Sequence, residues 1–323
     1  MMNKYIGHEN QLYGAEEYRY VGGKGDGMRF LQVRNGNGLE ISLSLDRCAD
    51  LSRVTYKGVN YGYFAPCGYV SPQYYDEKGI GFLKSFTAGF MTTCGLTSVG
   101  NPCVDEGEEL PLHGTVSHIP CDNVTKEITD KEIIITAIIR DARLGGHHLI
   151  LERKYVIPLW SNEINLTDTV RNIGSKDTPL QLLYHCNIGY PILDENAIVK
   201  IPAYEVLPRN DHAATDLDNC LVMEKPCAGY EEMCYYHKMT GEANVSVYNP
   251  KISKGIIMSY DTKELPCFTE WKMMGEYEYV LGIEPGNAYP DGRDVMRQKG
   301  MLNIIKPNES RKQSLKFEFT EEE

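Results

Sequence analysis

From residue 28 onward the chain repeats one pattern, apolar side chains at alternate positions in short runs bounded mostly by Gly, Pro, Asn or Asp. Ile41, Leu43 and Leu45 alternate with Ser42 and Ser44, the period of a strand that buries one face. The preceding run MRFLQV is joined to it by RNGNG, a hairpin signal. Further strands are predicted over 132–140, 148–157, 163–172, 180–188, 197–207, 244–249, 255–260, 267–273, 279–284, 300–306 and 311–319. Helical periodicity is confined to 10–19 and 229–239, so alternating β/α units and a parallel sheet are disfavoured. The reading is all-β, a large antiparallel β-sandwich. With no linker, composition shift or fixed-period repeat, residues 1–323 are expected to form one domain. The stretch 61–115, rich in Gly and aromatic residues, reads as the long functional loop region, and the closing TEEE as a frayed tail.

Composition narrows the function classes. With 33 Lys+Arg against 45 Asp+Glu the formal charge is −12, which argues against duplex nucleic acid as a partner. No window approaches the roughly 18 apolar residues of a membrane span, and the N-terminus has no apolar signal region. Ten cysteines lie scattered between residues 48 and 267, as free thiols in a reducing cytoplasm would. The fragment Cys227, Cys234, His237 has the spacing of no standard zinc module, so no metal site is expected.

The glycine cluster GGKGDG at 22–27 could cradle a phosphate, but the strand-like MRFLQV follows it rather than a helix, and a turn is the better reading. In LQLLYHCNI, Leu180, Leu182, Tyr184, Cys186 and Ile188 share one face, and Gln181, Leu183, His185 and Asn187 the other. His185 thus looks away from the core. Either it is a surface histidine on a solvated face, or the face is concave and loop-covered and holds a sugar-sized ligand, with Gln181 and Asn187 supplying hydrogen bonds.

Glu284 closes the run YVLGIE between apolar neighbours, and Gly282, on the same face, leaves room beside it. Burial would raise its pKa and make it a better base; exposure would leave it idle. His113, before a glycine in LPLHG, suits a catalytic loop and an ordinary turn equally. His118, five residues on, faces the opposite way in a strand. The 22 tyrosines suit sugar-stacking surfaces and strands alike, and Trp271 could stack on substrate or fill the core.

Together, the loop LPLHG, the strand LQLLYHCN and the late IEPGNAYPDGR resemble the aldose 1-epimerase (galactose mutarotase-like) family, in matching order and through most of the chain. FTAGFMTTCGLTSVG and EWKMMGEYEYVLGIEPG are similar to a divergent branch of it with poorly defined substrates. The resemblance implies a galactose mutarotase-like supersandwich and a site built from His113, His185 and Glu284. It sets the family's sugar-contacting Asn-Arg pair near Thr93-Cys94 and its sugar-binding aspartate near Tyr236-His237. Thr93 and His237 therefore stand where those contacts would fall, and galactose or glucose specificity does not carry over.

The implied reaction opens a cyclic hemiacetal and recloses it on the other carbonyl face, without metal or nicotinamide. Glu284 would take the O1 proton, His185 would donate to the ring oxygen, and His113 would hydrogen-bond the oxygen where charge develops. The substrate is then a monosaccharide or sugar derivative. A cation for an acidic or phosphorylated sugar could come from Lys84, Arg47, Arg53 or, foremost, Arg293, which follows the Pro-Asp-Gly turn near Glu284. The rivals are a non-catalytic carbohydrate-binding or sensor protein and a glycoside hydrolase, which normally needs two carboxylates.

Overall fold

The run EIIITAIIRDA forms the strand Glu132–Ala142, with Ile133, Ile135, Ala137 and Ile139 buried. β-Branched side chains fit a pleated surface, and the period of two sends them all to one face. A computed structural model describes residues 4–321 and sets this strand in an eight-stranded sheet. The order is Asn123–Ile128, Glu132–Ala142, His148–Pro158, Glu163–Asn172, Ser310–Thr320, Lys254–Asp261, Glu242–Asn249 and Ile198–Lys200. Every pairing in it is antiparallel.

A second, six-stranded antiparallel sheet runs in the order Glu205–Pro208, Met233–Lys238, Cys267–Gly275, Glu278–Gly286, Gln181–Ile188 and Met91–Leu96. The N-terminal hairpins build a third sheet of five strands, Tyr13–Arg19 through Val59–Asn60. GGKGDG connects Tyr13–Arg19 to Arg29–Asn35, and RNGNG turns from that strand into Leu39–Ser44. One apolar cluster joins all three: Leu31 and Val33, Ile135 and Leu166, Leu182 and Tyr184 belong to it.

A buried ionic network ties the sheets together. The fully buried Arg153 donates to Asp168 at 2.6 and 2.9 Å, to Asp50 at 2.7 Å and to Thr93 at 2.8 Å. Tyr184 donates to the same Asp168 at 2.9 Å. Each charge is held by several charge-assisted bonds, the condition under which buried ions are tolerated.

Several sequence expectations are corrected. The two helical stretches are strands, Tyr13–Arg19 and Met233–Lys238, because each finds a partner strand that outweighs its weak helical periodicity. The run 197–207 splits into Ile198–Lys200 in one sheet and Glu205–Pro208 in the other, with Pro202 between them, and 300–306 keeps only Ile304–Ile305. Two short helices, Asp211–Ala214 and Arg293–Gln298, were not foreseen. At the end of the chain Thr320 closes a strand and the carboxylate of Glu321 pairs with Lys57 and Lys254. The rest of the expected frayed tail, 322–323, lies outside the described residues. All ten cysteines are free. Among the described residues no helix is long and apolar enough to cross a membrane.

Candidate active site

The outer face of the six-stranded sheet is roofed by segments from the 61–115 region, which leaves a cavity of about 260 Å³. Register decides what lies on its floor. The pairs Cys186↔Ile283 and Leu183↔Gly286 place His185 opposite Glu284, Thr269 pairs with Glu284 on the other side, and Thr92 pairs with His185. The even positions of Gln181–Ile188 join the core, so His185 faces the cavity, as the alternation requires. The whole strand is nevertheless buried; the face is covered, not solvated.

His185 Nε2 stands 3.1 Å from Glu284 Oε1, but no aligned hydrogen bond forms, and Glu284 Oε1 lacks a partner among the described residues. Gly282 makes this geometry possible. A Cβ there would lie 2.3 Å from Glu284 Oε1, so the carboxylate occupies the space a side chain would take.

His113 approaches from the roof with its backbone in the left-handed region, φ 58°. Its N–H donates to Gly100 O at 2.8 Å and its carbonyl accepts from Gly95 N–H at 3.0 Å. Gly114 completes the turn because a Cβ there would meet Gly95 O at 2.3 Å. The ring sits 5.6 Å from that of His185, edge to face, and Trp271 meets His185 at 5.2 Å in the same way. Buried polar atoms without partners among the described residues collect on these walls: His113 Nδ1, His185 Nδ1, Thr269 Oγ1 and Glu284 Oε1. Buried polar groups are normally satisfied, so such a concentration points to a polar ligand.

Burial sets the ionisation. Desolvation holds the Glu284 carboxyl well above the usual range; the charge of Glu232 adds to this and that of Arg209 opposes it. Desolvation lowers His185 to about 4, and it lowers His113 to about 3 with help from the charges of His185 and Arg209. Burial thus favours the uncharged form of both groups, the protonated Glu284 carboxyl and the neutral His185 ring.

The structure brings His113, His185, Glu284 and Trp271 to this cavity and takes the other expected residues elsewhere. Thr93 faces the core, where its N–H and hydroxyl both donate to Asp50, at 2.9 and 2.5 Å. Asn187 is fully buried and donates to the carbonyl of His185 at 2.8 Å, bracing the backbone. Gln181 accepts from Val99 N–H at 3.1 Å. His237 points away from the cavity and meets Glu270 at 2.7 Å, with Cys220 close by. It is thereby parted from the exposed Cys227 and from Cys234 on the cavity wall. Arg293 is 3% exposed and donates to Asp105 and Glu108, both at 2.7 Å, clamping its helix to the 97–108 segment.

The other cations considered are engaged as well. Arg47 donates to the carbonyls of Ser117, Val70 and Ser85, Lys84 pairs with Asp76 at 2.6 Å, and Arg53 lies over the Phe64 ring. His118 is buried, stacked on Tyr75 and 3.1 Å from an Arg47 nitrogen.

Sequence reasoning missed Arg209, Glu232 and Thr269, all on the cavity wall. Arg209 Nη2 donates to Asn101 Oδ1 at 2.9 Å and to Pro290 O at 3.1 Å, while among the described residues Nη1 reaches only Cys234 Sγ, at 3.9 Å. One oxygen of Glu232 accepts from Trp271 Nε1 at 2.6 Å. Thr269 was accessible by parity, two residues from Trp271 on one strand; Arg209 and Glu232 sit among ordinary surface charges and carry no local signal.

The model of a family described as a domain of unknown function, DUF4432, matches residues 25–319. Among solved structures the chain is similar to a provisionally named aldose 1-epimerase from Klebsiella pneumoniae, at 27% identity and a TM-score of 0.91, over 97% of this chain and 86% of that one. It shares its fold with a galactose mutarotase-like protein from Clostridium acetobutylicum, at 14% identity and a TM-score of 0.69, over 96% and 99% of the two chains. The same holds for a galactose 1-epimerase from Lactobacillus acidophilus, at 13% identity and a TM-score of 0.64, over 96% and 100%. None of the curated proteins matches the chain. The architecture is thus the galactose mutarotase-like sandwich.

Proposed function

The chain belongs to the DUF4432 family, and on that premise we propose that it is an aldose 1-epimerase-like isomerase, working as one β-sandwich unit, that interconverts the α and β anomers of a sugar. The observation that carries this is the facing pair His185 and Glu284, 3.1 Å apart in a cavity where four buried polar atoms lack partners among the described residues. The likeness to the epimerase and mutarotase structures supports it.

Ring opening needs a base at O1 and an acid at the ring oxygen. Glu284 as carboxylate takes the O1 proton, and protonated His185 gives its proton to the ring oxygen. The free pair reaches that charged arrangement by moving its single proton from Glu284 to His185. Burial disfavours the charged form, so opening, which returns the proton to Glu284 and leaves His185 neutral, discharges the pair. Closure on the other carbonyl face runs the same transfers backwards. His113, neutral and with a free ring nitrogen, hydrogen-bonds the oxygen where charge develops. Each proton-transfer group typically contributes about 10²–10⁴-fold, which suffices for a reaction that already proceeds in water.

The test is exchange NMR on the purified protein with neutral aldoses, ketoses, uronic acids and sugar phosphates. Anomer exchange above the buffer rate, lost by at least about 100-fold in Glu284→Gln with the melting temperature retained, is the expected result. Near-normal exchange in that variant would sink the assignment. Glu232 places a second carboxylate in the same cavity and favours, as a second reading, a glycoside hydrolase. Release of a free reducing sugar from aryl glycosides, without anomer exchange, would select it.

A further inference from the structure

The strands Met233–Lys238 and Cys267–Gly275 turn Cys234, Thr269 and Trp271 to the cavity, so alternation sends His237 and Glu270 to the reverse face of the sheet. There Cys220, which follows the short helical turn Leu217–Asn219, meets them. Its sulfur, a His237 ring nitrogen and a Glu270 carboxylate oxygen lie within 4.8 Å of one another, and none of the three residues lines the cavity. We propose that Cys220, His237 and Glu270 bind a zinc ion, with a water as fourth ligand, that fastens the 209–232 segment to the sheet. This metal takes no part in the anomer chemistry, which lies on the other face.

Three observations carry it. The first is the donor set. A thiolate, an imidazole and a carboxylate from three separate elements suit zinc, and the sulfur and nitrogen disfavour magnesium and calcium. Tetrahedral zinc with bonds of about 2.0–2.3 Å holds its ligand atoms about 3.3–3.6 Å apart, so side-chain shifts of roughly 1 Å close the site. The second is an unmet demand. His237 and Glu270 are 1% and 0% exposed. Their mutual contact, Nε2 to Oε2 at 2.7 Å, uses one polar atom of each and leaves His237 Nδ1 and Glu270 Oε1 buried without partners among the described residues. A histidine–carboxylate pair kept for stability alone would normally have both satisfied.

The third observation is charge. Lys272, fully buried, is close enough for its charge to act on Glu270. Its ammonium nevertheless turns to Asp216 at 3.4 Å and to the carbonyl of Asn219 at 3.2 Å, in the segment that carries Cys220. Zinc with one thiolate and one carboxylate is neutral as a unit, so it can be buried where a bare divalent ion could not. The thiol proton leaves to solvent on binding. Cys220, 8% exposed, gives the metal its way in. Arg209 and Glu232, at the two ends of the tethered segment, line the active-site cavity, so the metal steadies that wall from behind.

The probes are Co²⁺ and Zn²⁺ alone, added under reducing conditions to the chelator-treated full chain. The parent should take up about one equivalent of Co²⁺ with a thiolate-to-cobalt charge-transfer band, and zinc should displace it. Cys220→Ser should lose the band, and Cys227→Ser, which removes the exposed thiol, should keep it. Zinc at about 100-fold above the parent's Kd should raise the melting temperature by about 4 °C in the parent and in Cys227→Ser, and should leave that of Cys220→Ser unmoved. X-ray absorption of the zinc-loaded parent needs no variant. It should show one sulfur at about 2.3 Å with nitrogen or oxygen at about 2.0–2.1 Å. No uptake by the parent, a band that survives in Cys220→Ser, or a coordination shell without sulfur overturns the site.

Discussion

Gly282 is the position where a single methyl group should separate fold from function. It requires no left-handed backbone, so alanine brings no conformational strain. The added Cβ would lie 2.3 Å from Glu284 Oε1 and 3.0 Å from Trp271 Cβ, against the 3.4 Å at which ordinary contact begins. The carboxylate oxygen must therefore leave its place 3.1 Å from His185 Nε2 by about 1 Å. A misplacement of that size costs on the order of 100-fold in rate, or about 2.7 kcal/mol in the barrier at about 1.36 kcal/mol per tenfold. Overpacking a filled site costs about 1–3 kcal/mol in stability, and here the lower end applies because a carboxylate can move and a backbone cannot. The assay is anomer exchange by NMR beside calorimetric melting, for Gly282→Ala and the parent. Exchange within twofold of the parent, with the variant folded, would refute both the placement of the carboxylate and its role.

Two further outcomes follow from the buried charges. Activity should follow a bell in pH, since it needs one proton on the His185–Glu284 pair. The acid limb should fall near pH 4, to which burial lowers His185, rather than at the ordinary histidine value of 6.5, and the alkaline limb should lie above the ordinary carboxylate range. Stability obeys the same linkage. The unfolded state binds more protons than the native His185 between about pH 4 and 6.5, so its contribution is fully present above that window and is lost as pH falls through it. Activity persisting unchanged below pH 3, or an acid limb at 6.5, would contradict this account. Separately, Arg153→Met should destabilise by about 3–5 kcal/mol in urea unfolding, because Asp50 and Asp168 are left buried without their cation. Neutralising both aspartates in the same chain should recover much of that loss, and a mild single-variant effect would refute the reasoning.

Alternation made most of the architecture legible. Glu163–Asn172 matches the expected 163–172, and the parity of Gln181–Ile188 placed His185 on the correct face before any partner strand was known. Gly282 was likewise readable as space beside Glu284. What could not be read was whether that face was open or roofed, since the roof comes from segments about a hundred residues upstream. Pairings of long range decided the remaining misses. Thr93 lies in the sheet that carries the site, but its parity and the reach of Arg153 turn it to the core. Arg293 looked free beside its Pro-Asp-Gly turn until Asp105 and Glu108 arrived from nearly two hundred residues away. Arg209 and Glu232 carry no periodic or motif signal; only the closing of the cavity gives them a place.

The position of Ser310–Thr320 bears on how the protein is made. This strand follows both of its neighbours in the chain, yet it lies inside the eight-stranded sheet, between Glu163–Asn172 and Lys254–Asp261. While it is still in the ribosome, the sheet exists as two halves with facing, unpaired edges, and such edges attract other chains. The nascent protein thus carries this exposure until Ser310–Thr320 emerges. Losing these residues would split the sheet down the middle rather than trim its border.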